Sequence, residues 1–219
     1  MTIKKLKATV IDLGIGNLLS LIRGLEYYGA EVTVTSDSKI INNSSHVILP
    51  GDGAFKFAMD QITQKGLMDT LKNLKKSETT LLGICIGMQI LFDESYEFEK
   101  TKGLGLIPGK VVPIPNKSTD GKKILIPHMG WNNLLSTEYF KNWNNTFLED
   151  NKINDEVYFI HSYMAIPLDK TNRVADCLYG GHKISAVVNQ NNITGCQFHP
   201  EKSGKLGLKI LKKFLEKNK

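Results

Sequence analysis

Thr80-Leu81-Leu82-Gly83-Ile84-Cys85-Ile86-Gly87-Met88-Gln89 reads as a buried strand that breaks sharply into a helix. Leu81 and Leu82 end a short apolar run, and Ile86 to Phe92 has the pattern of the first turns of a helix. Between them Gly83-Ile84-Cys85-Ile86-Gly87 sets a glycine two residues before and two residues after a cysteine. A nucleophile on a strand-to-helix turn has little room around it, which calls for small residues at those two spacings. The same turn puts Cys85 at a helix N-terminus, where the macrodipole favours the thiolate. On this stretch alone a buried structural cysteine with two incidental glycines stays open.

Working outward, Ala8 to Asp12 is a compact apolar strand leading into the glycine-rich turn Leu13 to Asn17. A helix from about Leu18 to Tyr28 follows, with Leu18, Leu21, Ile22 and Leu25 at helical spacing and Gly29 at its end. Glu31 to Thr35 alternates like a strand, and Val47 to Leu49 is a third strand, closed by Pro50-Gly51-Asp52-Gly53. Phe55 to Lys76 reads as helical with a break near Gly66. Strands alternating with helices at this rhythm predict a doubly wound α/β fold on a mostly parallel sheet. Ligands in such sheets lie beyond the carboxyl ends of the strands, so the loops at Gly14, Gly53 and Cys85 border one cleft.

From Gly103 to about Asn189 the candidate strands are short and punctuated by Pro, Gly and Asn, which predicts an antiparallel extension. They are Val111 to Ile114, Lys123 to Ile126, Val157 to Ile160, Val174 to Leu178 and Ile184 to Val188. Ile193 to Phe198 returns to the core. Ser203 is placed to N-cap a last helix whose apolar face carries Leu206, Ile210, Leu211, Phe214 and Leu215. No repeat or linker divides the chain, so residues 1–219 are expected to form one domain.

Hydrophobic residues at 41% and charged residues at 23% of 219 match a soluble globular protein. No apolar run is long enough to span a membrane, and Met1 to Lys7 lacks the apolar core of a signal peptide. Cys85, Cys177 and Cys196 form no CxxC pair, which argues against a zinc site or disulfide framework and for a reducing cytoplasm. No metal or cofactor is therefore expected. The formal charge of +6 comes from lysines at 72–76 and 205–219 that read as wet helix faces, without the interleaved aromatics of a nucleic-acid binder. Gly14-x-Gly16 lacks the third glycine of a dinucleotide fingerprint.

A thiol with an ordinary pKa near 8.5 is mostly protonated at neutral pH, so a catalytic cysteine wants a base beside it. Among five histidines, His199 follows the strand Ile193 to Phe198 within Gln197-Phe198-His199-Pro200-Glu201. A strand-end histidine can face the cleft of a strand-end cysteine, and Glu201 can orient the imidazole.

These two motifs, with Gly83 to Gln89 and Gln197 to Ser203 in this order, resemble the signature of class I (triad-type) glutamine amidotransferases. Pro127-His128-Met129-Gly130-Trp131-Asn132, Tyr158 to Tyr163 and Asp12-x-Gly14-x-Gly16-Asn17 further resemble the glutaminase-subunit family of imidazole glycerol phosphate synthases. The resemblance covers essentially the whole chain and implies a flavodoxin-like sheet. It implies that Cys85 attacks the side-chain amide of glutamine, with His199 as base and then acid and Glu201 orienting it. It implies an oxyanion hole from Ile86 and the Gly51, Asp52, Gly53 loop, and a glutamine pocket of Gln89, Glu97, His161, Ser162 and Tyr163. Asn17 and Pro127, His128, Met129, Gly130, Trp131 and Asn132 would meet a (β/α)₈-barrel cyclase subunit that receives the ammonia in a heterodimer. There the ammonia would yield imidazole glycerol phosphate and aminoimidazole carboxamide ribotide. Without the resemblance, Trp131 reads as core and His128 as a turn histidine.

Two positions depart from the family pattern. Asp52 stands where a small hydrophobe is usual, and Leu13 where an aromatic is usual. A carboxylate beside a developing oxyanion is unfavourable, so the Asp52 side chain is expected to face solvent or a basic group. A related reading is a paralogous glutaminase feeding the amidination of a surface-polysaccharide sugar. A cysteine hydrolase of the wider fold would be expected to place histidine directly after the cysteine, where Ile86 stands. A degenerate binding protein would be expected to lack a triad member, and none is missing.

Overall fold

The computed structural model describes residues 6–216. The charged start at residues 1–5 and the last lysines, 217–219, lie outside them. In chain order the elements begin with β1 (Lys7–Ile11), α1 (Leu18–Glu26), β2 (Glu31–Thr35), α2 (Ser38–Asn42) and β3 (His46–Leu49). Next come α3 (Phe55–Gln64), α4 (Met68–Leu74), β4 (Thr80–Ile84) and α5 (Ile86–Gln89). The second half holds β5 (Glu94–Ser95), β6 (Thr101–Lys102), β7 (Gly109–Pro113), β8 (His128–Asn133), β9 (Leu135–Ser136) and β10 (Glu156–His161). It closes with β11 (Tyr163–Pro167), β12 (Arg173–Tyr179), β13 (His182–Gln190), β14 (Ile193–Cys196) and α6 (Gly204–Glu216).

The main sheet has eight strands in the order β2-β1-β3-β4-β14-β13-β12-β9. From β2 to β14 every pair is parallel, and from β14 to β9 every pair is antiparallel. This is the expected doubly wound sheet with an antiparallel extension. All five residues of β4 are buried, as a central strand covered on both faces requires. Alternate residues supply the two faces. Val10, Ile48 and Leu82 pack with α1 and α6, whereas Ile11, Val47, Leu49 and Leu81 pack with α3 and α4. Each such fully buried aliphatic side chain contributes about 1.5–3 kcal/mol of transfer free energy. Two smaller sheets, β10-β8 and β11-β7-β5-β6, extend from the antiparallel side.

Four local expectations need correction. Lys123 to Ile126 forms no strand; the segment carries one isolated bridge, Lys117 to Lys123, and Leu125 is 83% exposed. The neighbouring His128–Asn133 is the strand instead, paired along β10, and Trp131 is 55% exposed rather than core. The helix after Cys85 stops at Gln89, short of Phe92. Leu91 and Phe92 donate instead to the carbonyls of Met88 and Gln89, three residues back, so the last turn tightens rather than continuing as α-helix. Ser203 does occupy the N-cap position, its carbonyl accepting from Gly207 N–H, but its hydroxyl bonds elsewhere. It donates to the His199 carbonyl at 2.7 Å and accepts from Tyr158 N–H at 3.0 Å, tying β10 to the His199 turn.

Candidate active site

The parallel pairing of β14 with β4 sets Cys196 beside Ile84, so both chains leave the sheet side by side. Cys85 N–H donates to the Cys196 carbonyl at 2.8 Å, and His199 N–H to the Tyr158 carbonyl at 2.9 Å. Cys85 adopts φ 54° and ψ −111°, a conformation that L-residues rarely hold and that costs about 1–3 kcal/mol. The flanking glycines are sterically required. A Cβ on Gly83 would lie 2.5 Å from the Gly87 carbonyl oxygen, and one on Gly87 would collide with the Leu49 carbonyl.

His199 is buried, and its Nδ1 lies 2.7 Å from Glu201 Oε1. Burial opposes a charge on the ring, but its interactions with Cys85 and Glu201 outweigh that and push the pKa up to about 10. Nε2 has no well-aligned hydrogen-bond partner, and Asp52 Oδ1 approaches it to 3.8 Å. The Asp52 carboxylate thus faces a basic group, and that group is His199. Cys85 Sγ also makes long contacts to the Ile160 carbonyl and to Gln197 Nε2, each at 3.8 Å. An imidazole held by a carboxylate on one nitrogen, with the other turned towards a thiol, can move a proton to and from sulfur. Cys177 and Cys196 are buried, and burial pushes both thiols well up, so neither is a nucleophile at neutral pH.

In front of Cys85 a cleft of about 600 Å³ is lined by Asp52, Gly53, Ile86, Gln89, Glu97, His161, Ser162 and Tyr163, with Phe98 and Lys202 on its wall. Gly51 is packed against Ile86: a Cβ at position 51 would lie 3.2 Å from the Ile86 Cβ, which sets the Pro50 to Gly53 loop on the elbow. Gln89 donates to the Tyr163 carbonyl at 3.1 Å and to Gln197 Oε1 at 3.0 Å, leaving its buried Oε1 without a partner. Glu97 spends one oxygen on the Phe55 N–H at the start of α3, at 2.5 Å. Ser162 breaks β10 from β11, so His161 ends one strand and Tyr163 starts the next.

His161 is not free to hydrogen-bond a ligand through its ring. Its Nδ1 lies 2.8 Å from the Tyr163 carbonyl and its Nε2 3.0 Å from His128 Nδ1, and Asn132 Nδ2 lies 3.1 Å from His128 Nε2. The chain of bonds assigns Nδ1–H tautomers to both rings. Burial lowers the pKa of His128 to about 4 and that of His161 to about 3. Both values lie below that of an unfolded histidine, so the unfolded chain binds protons that the folded chain refuses. The contribution of these two rings is therefore full above about pH 6.5 and falls as pH drops, by about 2 kcal/mol per ring between pH 6.5 and 5. Urea midpoints measured across that window are expected to fall, and His128→Gln, which can still donate to His161, is expected to flatten the profile by about half.

Of the expected partner-facing residues, Asn17, Pro127, Met129 and Trp131 are exposed, Gly130 and Asn132 are half-buried, and His128 is buried beneath them. Trp131 meets Tyr158 edge-on with ring centroids 6.1 Å apart. Among the described residues no group of three metal-ligating side chains occurs. No helix among them is long and apolar enough to cross a membrane. Sequence reasoning gave no role to Gln197, although its place two residues before His199 on the same strand end was a usable signal.

A model of the class-I glutamine amidotransferases, described as "Glutamine amidotransferase class-I", matches residues 9–218. A solved structure titled "Crystal structure of glutamine amidotransferase" shares the fold, with a TM-score of 0.71 at 18% identity over 95% of this chain and 97% of that one. The chain belongs to the class-I glutamine amidotransferase family, and within it to the HisH subunits of imidazole glycerol phosphate synthase. It is 44% identical to subunit HisH 1 of Legionella pneumophila (strain Lens), over 95% of this chain and 98% of that protein. It is 43% identical to HisH of Lactococcus lactis subsp. lactis (strain IL1403), over 96% and 98%.

Proposed function

We propose that the chain, acting as one domain, hydrolyses glutamine and delivers the ammonia to a (β/α)₈-barrel cyclase subunit in histidine biosynthesis. The observation that carries the chemistry is the elbow cysteine facing an imidazole whose far nitrogen is fixed 2.7 Å from Glu201. Cys85 Sγ attacks the side-chain carbonyl carbon of glutamine, and the thiol proton passes through His199 Nε2 to the departing amide nitrogen. Ammonia leaves, a γ-glutamyl thioester remains, and water delivered by the same imidazole releases glutamate. Glu201 keeps the proton on Nδ1 and favours the imidazolium.

The negative charge that develops on the carbonyl oxygen needs N–H donors, each worth about 3–4 kcal/mol in kcat. The Ile86 N–H, at the first position of α5, has no intrahelical partner by virtue of its place. A second donor comes from the Gly51, Asp52, Gly53 loop packed on Ile86. Gln89, with its free Oε1, then Glu97, Ser162 and Tyr163 hold the polar ends of the substrate, while His161 shapes the wall with its ring and backbone. The exposed apolar side chains of Leu125, Met129 and Trp131 support a docking face for the cyclase. The relatives named HisH support the histidine pathway over sugar amidination.

The test is glutamate release by the chain alone and mixed with a cyclase subunit, with and without the aminoimidazole ribonucleotide. The chain alone is expected to be nearly silent, and release to rise steeply only with both partner and ligand. A mixture that stays silent while Cys85 still accepts a glutamine-analogue electrophile would keep the chemistry and refute the pathway.

A further inference from the structure

The amidotransferase reading gives Asp52 no side-chain role, yet its carboxylate lies between two elements of the site. Oδ1 is 3.8 Å from His199 Nε2, the atom through which the proton must pass. Oδ2 accepts from Asn17 N–H at 3.3 Å, just before the start of α1. Gly16 makes room for it: a Cβ there would lie 3.2 Å from Oδ2. The imidazole therefore has a carboxylate at each nitrogen, Glu201 at Nδ1 and Asp52 at Nε2.

One carboxylate orients the ring and stabilises the imidazolium; a second at the reactive nitrogen has a different consequence. It competes for the Nε2 proton, so the imidazolium gives that proton to the departing amide nitrogen less readily. It also sets a negative charge beside the loop that must accommodate the oxyanion. Both effects slow turnover while Asp52 stays where it is. Among the described residues that carboxylate is also held by a backbone N–H of the Asp12 to Asn17 turn, so a shift of this turn moves the charge.

We propose that Asp52 is a positioning residue that restrains His199 in the resting chain and is drawn away when the Asp12 to Asn17 turn is engaged by the partner subunit. This inference rests on the glutaminase reading given above.

Asp52→Asn tests it, because the amide keeps the size and can still accept from Asn17 N–H but loses the charge. Asp52→Ser is a second variant in case the first fails to fold; the side chain is 42% exposed, so neither leaves a large cavity. The expected result is a glutaminase kcat of the chain alone raised about tenfold at unchanged KM, with partner stimulation reduced by a similar factor. Screening offers a readout that a merely structural role would not move, since a half-exposed charge contact weakens as the Debye length shrinks from about 30 Å at 0.01 M to about 3 Å at 1 M salt. Basal turnover of the parent chain is expected to rise with salt and that of Asp52→Asn to stay flat. An unchanged or lower basal kcat in both variants, or a raised one with full partner stimulation retained, overturns the proposal. Labelling of the parent chain at Cys85 by a glutamine-analogue electrophile separates the two levels. If that labelling fails, the glutaminase reading falls; if it succeeds while the variants behave like the parent, only the role of Asp52 falls.

Discussion

Cys85→Ala is expected to abolish glutamine hydrolysis, by about 10⁴-fold or more, because the sulfur is the atom that carries the acyl group. The fold is expected to survive. The Sγ contacts to the Ile160 carbonyl and Gln197 are long, 3.8 Å each, and alanine inherits the same backbone strain at φ 54° without adding to it. The loss of one buried sulfur costs about 1 kcal/mol, which for a chain of this size lowers the melting temperature by about 2–4 °C. Activity and melting measured side by side therefore separate chemistry from structure. Turnover within tenfold of the parent chain would sink the assignment of Cys85, and a collapse of the melt would make the loss uninformative about chemistry.

Gly87→Ala is expected to be the most damaging single methyl group near the site. The added Cβ would collide with the Leu49 carbonyl, a backbone atom of central strand β3 that cannot swing aside. Overpacking of this kind costs about 1–3 kcal/mol, and this position belongs at the upper end because both partners are main chain. Relief by moving α5 would carry Cys85 and the Ile86 N–H with it. A misplacement of about 1 Å in such a site costs about 100-fold in rate. Denaturant midpoints and kcat for Gly87→Ala are expected to fall together, whereas Gly29→Ala, at a positive-φ turn far from the cleft with open space around it, is expected to lower stability only. Parent-like stability and turnover in Gly87→Ala would contradict the steric account of the elbow.

The parts of the fold legible in the sequence were those where one physical demand dominates. Central strands covered on both faces read as short segments rich in apolar residues, and the sequence places β1, β3, β4 and β14 close to their observed bounds. The break at Gly66 separated α3 from α4 as expected, because that residue takes φ 66°. The elbow was legible because its steric demand leaves a mark at fixed spacing. What stayed hidden lacked a periodic signal. His128–Asn133 is short, carries a glycine and has no β-branched residues, and becomes a strand through its pairing with β10. Lys123 to Ile126 has the hydrophobicity of a strand but finds no partner along its length, and Leu125 is left in solvent. The bonds from Asn132 through His128 to His161 join residues 33 positions apart, so nothing local announces them. The position of Asp52 was foreseen in kind, facing a basic group, but not in identity, since nothing in the sequence says which base lies across the loop.

The most direct measurement is mass spectrometry of the chain after reaction at neutral pH with a glutamine-analogue electrophile, with and without glutamine as competitor. Cys85 opens onto the cleft and interacts with His199, whereas the thiols of Cys177 and Cys196 are buried and pushed well up in pKa. The account predicts a single adduct, on Cys85, that glutamine suppresses and that Cys85→Ala lacks. An adduct on Cys177 or Cys196, or labelling that persists in Cys85→Ala, would contradict it.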